Sequence, residues 1–132
     1  MKRKNSNNKS LKIIKIIFLI LYSVLILYLM FFGFNRAEKS QYIGGYRYFF
    51  EISRIPLWFP KKISRLWIFS MGNLLAFVPF GILIPSIFNT KYFKFIFFFI
   101  FTIFCLEITQ MLTRLGSFDL EDILINSLGA SI

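Results

Sequence analysis

The sequence contains no histidine and only one cysteine, and both shortages narrow the possible chemistry. Without imidazole there is no histidine base and no histidine metal ligand. Cys105 cannot form a disulfide within the chain, and its place in an apolar run indicates a small buried hydrophobe rather than a redox group. We therefore predict no metal and no cofactor, we assign no catalytic residue, and we favour a function other than catalysis.

Acidic residues are also scarce: six stand against 16 Lys and Arg, which gives a net charge of +10. A basic chain can bind nucleic acid. Here, however, 57% of the residues are hydrophobic, and they form blocks that are apolar on every side, whereas a soluble helix keeps a polar face. We predict an all-α polytopic membrane protein that contacts the lipid bilayer and no nucleic acid. The abundance of Phe, Ile, Lys and Asn suggests an AT-rich coding sequence and a bacterial source. We therefore predict that the protein lies in a bacterial cell membrane.

Three apolar runs are long enough to cross a bilayer, at residues 16–34, 66–88 and 92–113. The first contains 19 residues, which span roughly 28 Å as a helix, close to the thickness of the hydrocarbon core. The predicted organisation is a basic cytoplasmic arm (1–15), helix 1 (16–34), an interfacial loop (35–65) and a core (66–132) with helices at 66–88, 92–113 and 119–132.

The basic arm carries six cations and no acid, and the Asn and Ser among them predict an irregular first ten residues. The total of Lys plus Arg residues is the same on both sides of the membrane in the predicted topology. The distribution of positive charge therefore does not determine the orientation of the chain. The first helix usually dominates the orientation, and we therefore place the N-terminus in the cytoplasm.

The loop at 35–65 mixes aromatic rings with cations, as is typical of the lipid headgroup layer. Residues 46–55 fit a short interfacial helix that Pro56 and Pro60 would interrupt. A platform for single-stranded nucleic acid uses the same residue types, but the neighbouring spans favour the membrane.

The second span contains Asn73, Pro79 and Gly81. Pro79 removes a backbone hydrogen bond and is expected to kink the helix, and Gly81 permits close approach of another helix. Two interpretations stay open: a kink that serves packing, or a bend that opens a polar pocket below Asn73.

The third span contains an acid in oily surroundings, and such a residue usually faces the protein interior and has a partner. Glu107, Gln110 and Arg114 follow one another at i, i+3 and i+7, on one stripe of a helix. Arg114 ends this span.

The final segment begins with Asp119 as a predicted N-cap, with two acids in the first turn, where the helix dipole favours anions. Asp119, Asp122, Asn126 and Gly129 recur on one face, which we expect to turn inward, toward Arg114 and Glu107. Fourteen residues reach only about 21 Å, short of a roughly 30 Å core. We therefore expect either a half-buried helix that ends inside the membrane or a truncated copy.

From Asn73 to Gly129 these residues resemble the VanZ-like family of small bacterial membrane proteins. The resemblance rests on Asn73 with Phe-x-Pro79-Phe80-Gly81, on Glu107-x-x-Gln110, and on Arg114, Asp119, Asp122, Asn126 and Gly129. It implies a four-helix membrane domain. Members of the family generally continue for another apolar turn or two after the position of Gly129. It also implies structural roles for Pro79, Phe80, Gly81 and Gly129, and a link to teicoplanin-type glycopeptide resistance or to cell-envelope physiology.

Three functions remain open. A polar cluster of Asn73, Glu107, Gln110, Arg114, Asp119, Asp122 and Asn126 could bind a lipid headgroup or a lipid-linked wall precursor, because Arg suits phosphate and the amides supply neutral donors and acceptors. Alternatively, a membrane enzyme or small transporter could use Glu107 and Asp122 to handle protons. Finally, the polar groups could only hold the helices together, at about 0.6–2 kcal/mol for each bond.

Overall fold

The computed structural model describes residues 2–33, 45–52 and 64–132. Their elements, in chain order, are α1 (Lys2–Phe32), β1 (Tyr48–Phe49), α2 (Arg65–Phe88), α3 (Tyr92–Leu112), β2 (Phe118–Asp119) and α4 (Leu120–Ser131). Three of the helices are long and apolar enough to cross a membrane, over Asn8–Phe32, Trp67–Phe88 and Tyr92–Leu112. The predicted class, three long apolar helices with a short fourth, is confirmed.

Successive long helices run in opposite directions. Lys15 on α1 donates to Ser86 near the end of α2, and Gln110 near the end of α3 donates to Met30 near the end of α1. One end of the bundle therefore carries Lys15, Ser86, the turn at residues 89–91 and the start of α3, and we call it the basic end. The opposite end carries the C-termini of α1 and α3, and we call it the loop end.

Two sequence predictions about irregular and interfacial segments are wrong. The first ten residues do not form an irregular arm, because α1 is continuous from Lys2. Residues 45–52 do not form an interfacial helix: Tyr48 pairs with Phe118 and Phe49 with Asp119 in a short parallel ladder. Tyr and Phe favour extended structure. The pairing also satisfies backbone hydrogen-bonding groups of Phe118 and Asp119, which are buried in the bundle. Residues 53–55 of the predicted helix lie outside the described residues.

α2 is a single helix that contains both Pro79 and Pro85. Ser64 caps its start by accepting a hydrogen bond from the Trp67 N–H at 3.1 Å, and its last residues lead into Asn89 in the left-handed conformation (φ 51°). Ahead of Pro79, the carbonyl of Ala76 accepts a hydrogen bond from the Tyr22 hydroxyl at 2.8 Å, which ties α1 to α2.

Two glycines allow α2 and α4 to touch backbone to backbone. A Cβ at Gly81 would lie under 3.0 Å from the carbonyl of Ala130, and a Cβ at Gly129 would meet the carbonyl of Leu74 equally closely. The predicted close approach at Gly81 is confirmed, and Gly129 is the matching position on the partner helix.

α4 starts inside the bundle rather than at its surface. Its N-cap, Asp119, bonds Glu107, which lies five residues, or about 7 Å, before the end of α3. The other end of α4 is linked to the start of α3 by a side chain, because the Tyr92 hydroxyl donates to the carbonyl of Ser131 at 3.3 Å. The recessed start shifts this short helix toward the basic end, and its last residues lie beside Gly81, seven residues before the end of α2.

The apolar core is built largely from phenylalanine rings. Phe77, Phe80, Phe95 and Phe99 contact one another between α2 and α3, with ring centroids 5.6–6.1 Å apart. Cys105 lies on the exposed side of α3. The prediction that it is buried within the protein is therefore wrong, since the apolar run around it supplies a lipid-facing surface as well as a core.

Candidate functional site: a buried polar cluster at the start of α4

Glu107 is the acid at the centre of this cluster, and only 2% of its surface is exposed. Its Oε2 atom accepts a hydrogen bond from the backbone N–H of Asp119 at 3.3 Å. The carboxylate therefore lies at the N-terminus of α4, where the helix dipole favours negative charge. The expectation that Glu107 turns toward the final segment is confirmed, although its partner is a peptide group.

Asp119 caps α4 as predicted. Its backbone is extended (φ −130°, ψ 112°), and its Oδ1 atom accepts a hydrogen bond from the Glu121 N–H at 3.0 Å. The same residue thus donates its own N–H to Glu107 and accepts from Glu121, which fixes the turn between α3 and α4.

Glu121 is fully buried, with 0% exposure, and sequence reasoning gave it no role beyond the first turn of a helix. A signal was present in the spacing. Glu121, Ile125 and Gly129 follow at i, i+4 and i+8, and Ile125 and Gly129 are buried as well. Glu121 therefore belongs to the most buried stripe of α4.

Asn73 and Asp122 join α2 to α4 across the cluster. The Asn73 Nδ2 atom donates to Asp122 Oδ1 at 3.4 Å, a long hydrogen bond between partly buried side chains. The predicted inward face is borne out for Asn126 and Gly129, which are buried while Leu124 and Leu128 are exposed. Ile123 was expected on the opposite side with these leucines, and that expectation is wrong, because Ile123 is buried as well.

Asn126 lies one turn beyond Asp122, and 3% of its surface is exposed. Its Oδ1 atom is buried and has no hydrogen-bond partner among residues 2–33, 45–52 and 64–132. Buried amide groups are normally hydrogen-bonded, and this oxygen departs from that rule, as does the buried hydroxyl of Ser127 beside it.

Gln110 is buried on α3, yet it serves a different neighbour. Its Nε2 atom donates to the carbonyl of Met30 at 2.7 Å, which holds the end of α1 against α3. The backbone carbonyl of Gln110 accepts a hydrogen bond from the Gly116 N–H at 3.2 Å, in the turn after α3.

Arg114 does not continue the helical stripe of Glu107 and Gln110. α3 ends at Leu112, and Arg114 adopts the left-handed conformation with φ 61°. Its guanidinium lies over the ring of Tyr46, 5.8 Å from the centroid, and the side chain is exposed. The structure thus brings five of the seven predicted cluster residues together at α4, places Gln110 against α1, and leaves Arg114 exposed at the loop end.

The acids of the cluster do not form a metal site in the described part of the chain, where no group of three or more Asp, Glu or Cys side chains could hold a metal ion. Among their hydrogen bonds, Glu107 and Asp119 accept from backbone N–H groups and Asp122 accepts from the amide of Asn73. The result is a largely buried polar cluster in which the Oδ1 atom of Asn126 has no hydrogen-bond partner in the described part of the chain.

Three candidate spans around a short, recessed polar helix define a small multi-pass membrane protein. The chain belongs to the VanZ/LLP1 family, whose model matches residues 18–132. The match therefore extends well ahead of Asn73, where the resemblance seen in the sequence begins. A comparison with curated proteins gives no significant match, and a comparison with solved structures gives none either.

Proposed function

We propose that this protein acts in the bacterial cell envelope by binding the polar group of a lipid or lipid-linked wall precursor at the cluster around Asp122 and Asn126. Asn126 carries the proposal. Its buried Oδ1 atom lacks a partner among the described residues, and it lies one turn from the long Asn73–Asp122 hydrogen bond. A hydroxyl, amide or ammonium of a ligand would supply the donor that this oxygen lacks.

The loop end fits the approach of an anionic headgroup. Arg114 lies over Tyr46 and Arg47 lies over Phe49, each guanidinium 5.8 Å from the ring centroid, and all four side chains are exposed. Such pairs place cations at the level of lipid phosphates, where Arg can bind phosphate through two nitrogens.

We also propose that the basic end faces the cytoplasm, as expected when the first helix sets the orientation. The described residues place Lys9, Lys12, Lys15, Lys91 and Lys94 there. The loop end then faces the outer leaflet, where lipid-linked wall precursors are used, and a role in glycopeptide resistance would follow from precursor binding.

The alternative of a membrane enzyme or transporter gains no support of this kind. Glu107 and Asp122, its proposed proton-handling carboxylates, both accept hydrogen bonds that hold α4 in place.

The test replaces Asn126 with leucine, which has a similar volume and no polar atom. Wild-type protein in phosphatidylcholine nanodiscs is titrated with a polyprenyl-diphosphate wall precursor that carries its sugars and peptide. We expect N126L to bind at least about tenfold more weakly, since a lost hydrogen bond in a desolvated site costs on the order of 1–3 kcal/mol. Its unfolding temperature should stay equal or rise, because the leucine removes an unsatisfied amide.

The matched control is L128A, which changes the exposed side of the same helix. It should bind the precursor as the wild type does, and in a bacterial host N126L alone should alter teicoplanin sensitivity. Equal binding by N126L and wild type would contradict the proposal and leave the cluster as a purely structural feature.

A further inference from the structure

An apolar groove of about 350 Å³ lies between α1, α2 and α3, away from the polar cluster. α1 contributes Ile26 and Leu27 to its lining, and α2 contributes Phe77 and Ile84. The side of α3 that closes the groove runs from Lys94 to Leu106. This volume lies in the range of ligand-binding pockets.

The polarity of the groove changes along its length. In its interior, Ser23 donates to the carbonyl of Leu19 and Thr102 to that of Phe98, so both hydroxyls are satisfied by their own helices. At its basic end, the Oγ1 atom of Thr90 is buried and has no partner within the described ranges. The groove therefore presents hydrocarbon along its length and an unsatisfied hydroxyl at one end.

The described side chains that carry charge at that end have one sign. Lys94 lines the groove beside Thr90, and α3 begins there without a side-chain cap on its first N–H groups. The sequence contains no Asp or Glu in residues 1–37, 52–106 or 123–132, which include every described side chain of the basic end. A phosphate would thus meet cations and hydrogen-bond donors and no acidic side chain.

The length also suits one acyl chain. Lys94 and Leu106 are 12 residues apart, about 18 Å along the helix axis, and one leaflet supplies roughly 15 Å of hydrocarbon. We propose that this groove binds one acyl chain of an anionic phospholipid, whose phosphate is held by Lys94 and Thr90. This site is independent of the proposed function and lies toward the opposite end of the bundle.

The test uses phosphatidylglycerol with a photoreactive diazirine near the middle of one acyl chain, mixed into phosphatidylcholine nanodiscs that hold the full chain. After irradiation, mass spectrometry locates the cross-links. We expect them on groove-lining residues such as Ile26, Phe77 and Ile103, and we expect unlabelled phosphatidylglycerol to compete while phosphatidylcholine does not.

The variant K94Q should lower this cross-linking about fivefold, as expected for one cation near a lipid surface. The control K91Q removes an exposed cation of the same basic end that does not line the groove, and it should change the yield less than twofold. T90V, which removes only the hydroxyl, should also lower the yield.

T102F places a ring at the exposed edge of the groove and should abolish the interior cross-links if the protein still elutes as the wild type does. Equal losses in K94Q and K91Q would overturn the proposal, because they would indicate general attraction to the leaflet. Cross-links spread over exposed phenylalanines of α3 that do not line the groove, Phe93, Phe97 and Phe101, would also overturn it, as would equal competition by phosphatidylcholine.

Discussion

The Glu107 carboxylate on α3 accepts a hydrogen bond from the backbone N–H of Asp119, the residue that caps α4. An acid buried within a membrane-spanning helix is thereby satisfied at the beginning of a second helix. The contact also explains the recessed start of α4, because the turn after α3 must fold back by about 7 Å to reach Glu107. The hydrogen bond between Glu107 and Asp119 in the polar cluster therefore positions the short helix α4.

Replacing Glu107 separates its charge from its hydrogen bond. Glu107→Gln keeps an oxygen that can accept from Asp119, and we expect a small loss of stability, under about 1 kcal/mol. Glu107→Leu leaves a buried N–H unsatisfied and should cost about 1–3 kcal/mol. Thermal unfolding in detergent, followed by circular dichroism, measures both. If the two variants are equally stable, the hydrogen bond does not hold α4.

The crossing of α2 and α4 should be intolerant of a single methyl group. Gly81→Ala and Gly129→Ala each place a Cβ against a backbone carbonyl, and we expect each to lower stability by several kcal/mol or to prevent folding. Gly72→Ala is the matched control on α2, because its Cβ would meet nothing within 4 Å. It should stabilise the helix by up to about 1 kcal/mol. Yields from size-exclusion chromatography report the difference, and a well-folded Gly129→Ala protein would refute the close crossing.

Arg114 occupies a backbone conformation that normally favours glycine (φ 61°). Arg114→Gly should therefore raise the free energy of unfolding by up to about 1 kcal/mol, even though it removes the contact with Tyr46. Arg114→Ala loses the same contact and keeps the strain, so it should be the less stable of the two. The comparison is made by thermal unfolding. A lower stability for the glycine variant would show that the guanidinium contributes more than the backbone strain costs.

Two of the hydrogen bonds that fasten α1, those of Tyr22 and Met30, should act independently. Tyr22→Phe removes the bond to Ala76, and Gln110→Leu removes the bond to Met30. Tyr22 and Met30 are eight residues apart, about 12 Å along α1, so the losses of about 1 kcal/mol each should add in the double variant. Unfolding of the single and double variants tests this. A marked departure from additivity would mean that α1 shifts as a unit when either bond is lost.

The sequence alone determined the class of protein and the helices. Blocks that are apolar on every side are not suited to a soluble protein, and their lengths place the second and third spans within one residue of α2 and α3. The first span was placed too late, because α1 begins at Lys2, 14 residues before the predicted start. The capping pattern located Asp119, and the repeat of Asp122, Asn126 and Gly129 identified the inward face of α4. Each of these is a local property, readable from spacing along one helix.

Tertiary structure determined which residues these polar side chains contact. Whether Glu107 contacts Arg114 or a backbone N–H depends on where α3 ends and how far the chain then folds back. Helical spacing does not predict this contact, because α3 ends at Leu112, before Arg114. The burial of Glu121, the bond from Gln110 to Met30 and the pairing of Tyr48 with Phe118 join residues that are distant in sequence or lie on different elements. Such contacts arise when helices pack so that their glycines touch and their polar groups are satisfied away from lipid.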